Sequence, residues 1–219
     1  MKVINLGETN SALNNIIAQV RDRKIQKDSL RFRFNLERLG QIFAYELSKT
    51  LEYSPKEVMT PLATATIETF DTKIVAATIL RAGLPIHKGM MDIFDGAESA
   101  FIAAYRKYDK ADEFHIAIEY CTCPALSGKV LVLADSMIAS GASMEIAYDK
   151  LVDQGGKPVF THFISPVTSV YAVEYLQKRL PENTCLWTGA IDEELTSQSY
   201  IIPGIGDAGD LAFGSKANL

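Results

Sequence analysis

The stretch Val130-Leu-Val-Leu-Ala-Asp135-Ser-Met-Ile-Ala-Ser140-Gly141-Ala-Ser143 decides how the rest of the chain is read. Val130, Leu131, Val132, Leu133 and Ala134 show no polar alternation, the pattern of a strand buried on both faces of a parallel sheet. The run breaks at an acid, Asp135, and small or polar residues follow. A helical pattern comes next, with Met144, Ala147, Tyr148, Leu151 and Val152 on one face and Gly155-Gly156 as its C-terminal stop. A strand, a loop of small residues and a helix N-terminus together form an anion site. The first N–H groups of the helix have no intrahelical partner, and the helix dipole favours negative charge there. Ser140 and Ser143 add hydroxyl donors. Asp135 stands at the carboxyl end of the strand, where open parallel sheets bind ligands. It would repel a phosphate, so vicinal sugar hydroxyls are its natural partner.

Working outward, residues 73–80 form a second buried-strand run that breaks at Arg81-Ala82-Gly83, with a short helix through Ile86, Met90 and Phe94. An arginine at the end of a buried strand is placed to hold an anion through its forked donors. Residues 100–105 read as a third strand, ending at Tyr105-Arg106. Residues 107–126 are charged and then alternate, which predicts a protruding hairpin or arm. Strands at 158–164 and 185–188 flank a helix at 169–178. The alternation of strand and helix from about 73 to 189 predicts a parallel α/β sheet with right-handed crossovers. Upstream, 11–22 reads as a helix capped by Ser11 and 31–51 as a longer one. The Thr-rich segment 58–70 reads as strands, a hairpin or an edge. Arg31 and Arg33 read as a solvated or interface pair.

Tyr200-Ile-Ile-Pro-Gly204-Ile-Gly206-Asp207-Ala208-Gly209-Asp210 contains Gly-x-Gly-x-x-Gly. The dinucleotide-binding reading is rejected, because that fingerprint needs a strand before it, a helix after it and a further acid downstream. Only ten residues follow Gly209. The glycines and Pro203 instead specify a rigid loop whose backbone can approach a planar base edge, with Tyr200 as a wall. Gly128-Lys129 is followed by valine and is no P-loop.

At 219 residues, with 47% hydrophobic and 22% charged residues, the chain fits one globular domain spanning 1–219. A net charge of −5 offers no electrostatic footprint for nucleic acid or an anionic membrane. There is no apolar run of membrane-spanning length and no signal-peptide pattern, and the three cysteines form no secreted disulfide framework. These features predict the cytoplasm. Cys121-Thr-Cys123 lacks the second cluster that a zinc site needs.

Three of these blocks carry a family resemblance. Val130–Ser143 resembles the phosphoribosyl-pyrophosphate (PRPP) signature of type I phosphoribosyltransferases, and its x-Met-x-Ala-Ser-Gly-x-Ser form resembles the uracil branch. Ile79-Leu80-Arg81-Ala82-Gly83-Leu84 resembles that family's pyrophosphate loop, in which a cis peptide is expected at or near Leu80–Arg81. Tyr200–Asp210 resembles its uracil-binding loop. The resemblance implies a central parallel sheet flanked by helices, with the N-terminal helices and the C-terminal loop as a hood. It implies transfer of ribose 5-phosphate from PRPP to uracil, giving UMP and diphosphate. Arg81, Arg106, Asp135 and Asp207 would carry the chemistry. PRPP would lie against Arg81, Arg106, Asp207 and the run Asp135, Ser136, Met137, Ile138, Ala139, Ser140, Gly141, Ala142 and Ser143. Uracil would lie against Tyr200, Ile201, Gly206, Asp207 and Ala208. Magnesium is implied through PRPP and water with no direct protein ligand, as is a homodimer or higher homo-oligomer, and GTP is admitted as an activator. The alternatives are a phosphoribosyltransferase for another base and a nucleotide- and RNA-binding pyrimidine regulator on the same fold. Three residues depart from the pattern: Ser136 for the usual proline, Ser140 for threonine and Ala142 for glycine. Ala142 is harmless only if its dihedrals are helical.

Overall fold

A computed structural model describes residues 1–108 and 114–216, with the backbone alone at 104–108 and 114–117. Its strands are β1 (Lys2–Asn5), β2 (Ser54–Met59), β3 (Thr64–Thr69), β4 (Ile74–Leu80), β5 (Glu98–Tyr108), β6 (Phe114–Thr122) and β7 (Val130–Ala134). They continue with β8 (Met137–Ile138), β9 (Phe160–Ser165), β10 (Val167–Ser169), β11 (Thr184–Thr188), β12 (Ile191–Asp192), β13 (Glu194–Leu195) and β14 (Ile201–Ile202). The helices are α1 (Ala12–Arg21), α2 (Ser29–Ser48), α3 (Leu84–Ile93), α4 (Ala142–Gly155), α5 (Val170–Arg179) and α6 (Ala208–Phe213).

The main sheet has the order β1-β11-β9-β7-β4-β5-β6. Every neighbouring pair is parallel except β5 and β6. The predicted 107–126 arm is the β5–β6 hairpin, and its tip at 109–113 lies outside the described residues.

The apolar runs are unbroken because both faces of the sheet are covered. Ile74, Ala76, Val130, Val132, Ala134, Ile164, Cys185 and Trp187 pack on the face of α1, α2, α3 and α6. The alternate residues Val75, Ala77, Ile79, Leu131, Leu133, Phe163 and Leu186 pack on the face of α4 and α5. Side chains of a strand point alternately to opposite faces, so each strand contributes to both cores. The hood is real: α6 lies against α2, where Arg33 Nη1 donates to the Ala212 carbonyl at 2.6 Å. Arg33 is therefore an anchor for the C-terminal segment and not part of a solvated pair, whereas Arg31 is exposed.

Several boundaries move for local reasons. Helix α2 starts two residues earlier than expected because Asp28 accepts from Arg31 N and caps it. The β2–β3 hairpin begins at Ser54, four residues before the Thr-rich segment. The N-terminal β1 was not read from the sequence at all; it pairs Lys2 with Cys185 through Asn5 with Thr188.

Candidate active site

Strands β4 and β7 are neighbours in register, with Thr78 opposite Ala134. The Arg81 and Asp135 loops therefore leave the sheet side by side at the carboxyl edge. The turn after β4 packs tightly there. A Cβ on Gly83 would sit 2.3 Å from Thr78 Oγ1 and 3.0 Å from the Ala134 carbonyl, so only glycine fits. The Leu80–Arg81 peptide is cis, at the expected position. Arg106 lies on β5, which runs parallel to β4 with Leu80 opposite Ala103.

Asp135 is tightly held. Its Oδ1 accepts from Ser136 N at 2.7 Å and from Ser136 Oγ at 3.3 Å. Burial pushes its carboxyl up to about 7, against the lowering effect of those bonds. Ser136 itself is 3% exposed. Where the family pattern has proline, this chain thus gains an N–H and a hydroxyl that orient the acid.

The segment after Ser136 is more ordered than a loop of small residues. Met137 and Ile138 form β8, paired to β10, and Ile138 is buried in the core. The Ala139 carbonyl accepts from Ser169 Oγ at 2.5 Å, while the same hydroxyl accepts from Ala172 N at 2.9 Å and caps α5. Gly141, at φ 84°, is the left-handed residue, and its Cβ position is blocked by Tyr175 Cδ1 at 2.9 Å. Ala142 is the first residue of α4, so its departure from glycine carries no backbone strain. No side chain caps α4, which leaves the N–H groups of its first turn to another acceptor. Glu145, the acid of that turn, is drawn away by the Tyr175 hydroxyl at 2.5 Å and by Arg179 at 3.3 Å. Its charge therefore does not oppose an anion at the helix start.

The C-terminal loop is clamped by residues the sequence did not point to. Arg21 on α1 grips Asp192 bidentately, at 2.8 and 2.9 Å, and donates to the Gly204 carbonyl at 3.1 Å. Asp192 in turn accepts from Gly204 N at 2.9 Å. Ile201, Ile205 and Ala208 bury their side chains in the core. Their backbone is thereby fixed, while Tyr200 stays exposed at the rim. At Gly206, with φ 79°, an added Cβ would meet nothing closer than Leu211 Cδ1 at 4.0 Å, so the protein leaves this side of the backbone uncovered. Asp207 caps α6 by accepting from Asp210 N at 3.0 Å, and its other oxygen lies 3.6 Å from Lys216. Arg81 reaches across to this segment: Nη2 donates to Asp210 Oδ1 at 2.9 Å and Nη1 to the Gly214 carbonyl at 3.1 Å. Arg81 and the C-terminal glycine-rich segment are thus brought together, and Asp135 leaves the strand neighbouring that of Arg81 at the same sheet edge.

At one edge the parallel sheet presents an arginine turn, an acid beside an uncapped helix start and a glycine-rich hood, the arrangement that the resemblance to type I phosphoribosyltransferases implies. The family model described as uracil phosphoribosyltransferase matches residues 8–215. A protein of that name from Porphyromonas gingivalis is 47% identical over 216 residues, covering 99% of this chain and 100% of its own. One from Methanothermobacter thermautotrophicus is 37% identical over 194 residues, 87% of each chain. Among solved structures, the AQ2163 protein from Aquifex aeolicus superposes with a TM-score of 0.85 at 25% identity, over 99% of this chain and 100% of that one. The chain belongs to the uracil phosphoribosyltransferase family.

Proposed function

We propose that the chain, acting as one domain over 1–219, transfers ribose 5-phosphate from PRPP to N1 of uracil, giving UMP and diphosphate. The observation that carries this reading is the convergence of Arg81, Asp135 and the Tyr200–Asp210 segment at one sheet edge, in a chain matched by the family model nearly end to end. In this reading the 5-phosphate lies on the N–H groups of Ala139–Ser143 with the Ser140 and Ser143 hydroxyls. Asp135 accepts from the ribose hydroxyls, and Arg81 with Arg106 holds the pyrophosphate. Charge separates as pyrophosphate leaves C1 of the ribose, and the two guanidinium groups offset its growing negative charge. The base is read by backbone groups of Ile201, Gly206 and Ala208 beside Tyr200. Among the described residues no three His, Cys, Asp or Glu side chains form a metal cage. Magnesium enters this reading through the family resemblance, as an ion carried by PRPP, with Asp207 reaching it through water. Magnesium bound in this way would neutralise the leaving group. No observation favours another base or an RNA-binding regulator. No helix among the described residues is long and apolar enough to cross a membrane. The reading places the enzyme in the cytoplasm, and activation by GTP remains part of it only through the family resemblance.

A pH profile tests the role of Asp135. It must be ionised to accept two hydroxyl donors, and its carboxyl titrates near 7 in the free protein. The kcat/KM for PRPP should rise about tenfold per pH unit up to about 7 and then level. Asp135→Asn should be low and flat over the same range, which separates the residue's titration from that of PRPP itself. An unchanged profile in the variant would remove Asp135 from the site. The same raised value has the opposite sign for folding. The unfolded carboxyl ionises near 4, so the native state is penalised increasingly as pH rises from about 4 to 7.

We also infer a homodimer or higher homo-oligomer. The β2–β3 hairpin leaves Leu62 97% and Met59 87% exposed, and a two-stranded ribbon is barely stable alone. A monomer's mass by light scattering at micromolar concentration would overturn this.

A further inference from the structure

The contact between Arg81 and α6 joins two loops separated by 129 positions in the chain. We propose that Asp210 is a positioning residue: it aims the Arg81 guanidinium at pyrophosphate and thereby couples the base loop to the PRPP site. This rests on the reading of Arg81 as a pyrophosphate ligand.

The guanidinium is planar and its donors are fixed relative to one another. With Nη2 on Asp210 Oδ1 and Nη1 on the Gly214 carbonyl, its plane is set by the two ends of α6. Gly209 permits this seat, since a Cβ there would lie 3.2 Å from both Arg81 Nη2 and Asp207 Oδ1. Helix α6 is in turn the direct continuation of the base loop: Asp207 caps it, Ala208 is buried in the core, and Gly206 immediately precedes the cap. Any adjustment of the loop on closing over a base moves the carboxylate that aims Arg81. Reciprocally, pyrophosphate that fixes Arg81 fixes α6. The pair is about one-third exposed on both sides, so it adds little to stability and its value lies in direction.

The rival geometry is competition, in which Asp210 occupies Arg81 and must be displaced by pyrophosphate. The two have opposite signs. Initial rates on a grid of PRPP and uracil concentrations should show Asp210→Asn raising the KM for PRPP about tenfold and the KM for uracil in parallel, with kcat within about threefold. Asp210→Glu should recover part of the loss. In an Arg81→Ala background, Asp210→Asn should add less than about twofold, because Asp210 acts only through Arg81. A PRPP KM that is unchanged or lower in Asp210→Asn, or a full additive loss in the double variant, would overturn the proposal. If the parent enzyme made no UMP, the underlying reading would fail instead, and the two failures are distinguished by that control.

Discussion

Ser143→Asp should abolish activity and leave the fold intact. Ser143 is the second residue of α4, in the first turn whose N–H groups have no side-chain cap. An aspartate there is favoured by the helix itself, since a negative charge near the N-terminus stabilises by a few tenths of a kcal/mol to about 1 kcal/mol. The same charge would sit within about 4 Å of the 5-phosphate. At an effective dielectric near 20, two like charges at that separation repel by about 4 kcal/mol, on the order of a thousandfold in PRPP affinity and rate. Stability and activity therefore move in opposite directions. The melting temperature should stay level or rise slightly while UMP formation falls by at least about a thousandfold. A Ser143→Asp enzyme that still turns over PRPP would show that the phosphate binds elsewhere.

Arg21→Ala loosens the hood. The substitution removes a two-pronged grip on Asp192, which is 7% exposed, and the donor to the Gly204 carbonyl. Among the described residues, Asp192 then keeps the Gly204 N–H as its side-chain donor. Breaking a buried pair from one side costs about 3–5 kcal/mol, and the partial exposure of Arg21 puts this case near the lower figure. In a chain of this size about 3 kcal/mol corresponds to a fall of about 6–12 °C in Tm. The uracil KM should rise more than the PRPP KM, because the clamp holds the base loop and not the α4 cradle. Arg21→Lys, which keeps the charge and loses the fork, should lie between. Differential scanning calorimetry showing a Tm within 2 °C of the parent would remove the clamp from the account.

The parts legible in the sequence are those encoded locally. The run Val130–Ala134 is a strand with the expected ends, and Gly156 stops α4 at φ 86°. Ser11 caps α1 as the spacing predicts. An apolar run or a cap carries its meaning within a few residues, so it can be read without knowing what it packs against. The Arg21–Asp192 clamp could not be read in that way. Its partners stand 171 positions apart, and an arginine in the last turn of an amphipathic helix looks like an ordinary solvated one. Strand β1 was missed because four residues of mixed polarity show no period, and only the register with β11 makes them a strand. The segment after Asp135 looks like a loop in the sequence because Met137 and Ile138 are too short a pair to signal β8, which exists through its pairing with β10. The role of Ser136 was likewise hidden: nothing in its neighbours tells that both its donors go to Asp135.

In the proposed function a rigid backbone loop selects uracil as the acceptor of ribose 5-phosphate. Uracil presents acceptor, donor and acceptor along O2, N3–H and O4, whereas cytosine inverts two of the three. Each inverted group would face backbone that Arg21, Asp192 and the buried Ile201, Ile205 and Ala208 hold in place. Unpaired buried groups cost about 1–3 kcal/mol each, so two of them should give discrimination of at least about thirtyfold. The direct measurement is nucleotide formation from PRPP and magnesium with uracil, cytosine, orotate, hypoxanthine and adenine side by side. The expected result is UMP from uracil, CMP at least about thirtyfold slower, and neither purine nor orotate nucleotides at a comparable rate. Equal rates with cytosine, or a faster reaction with any other base, would contradict it.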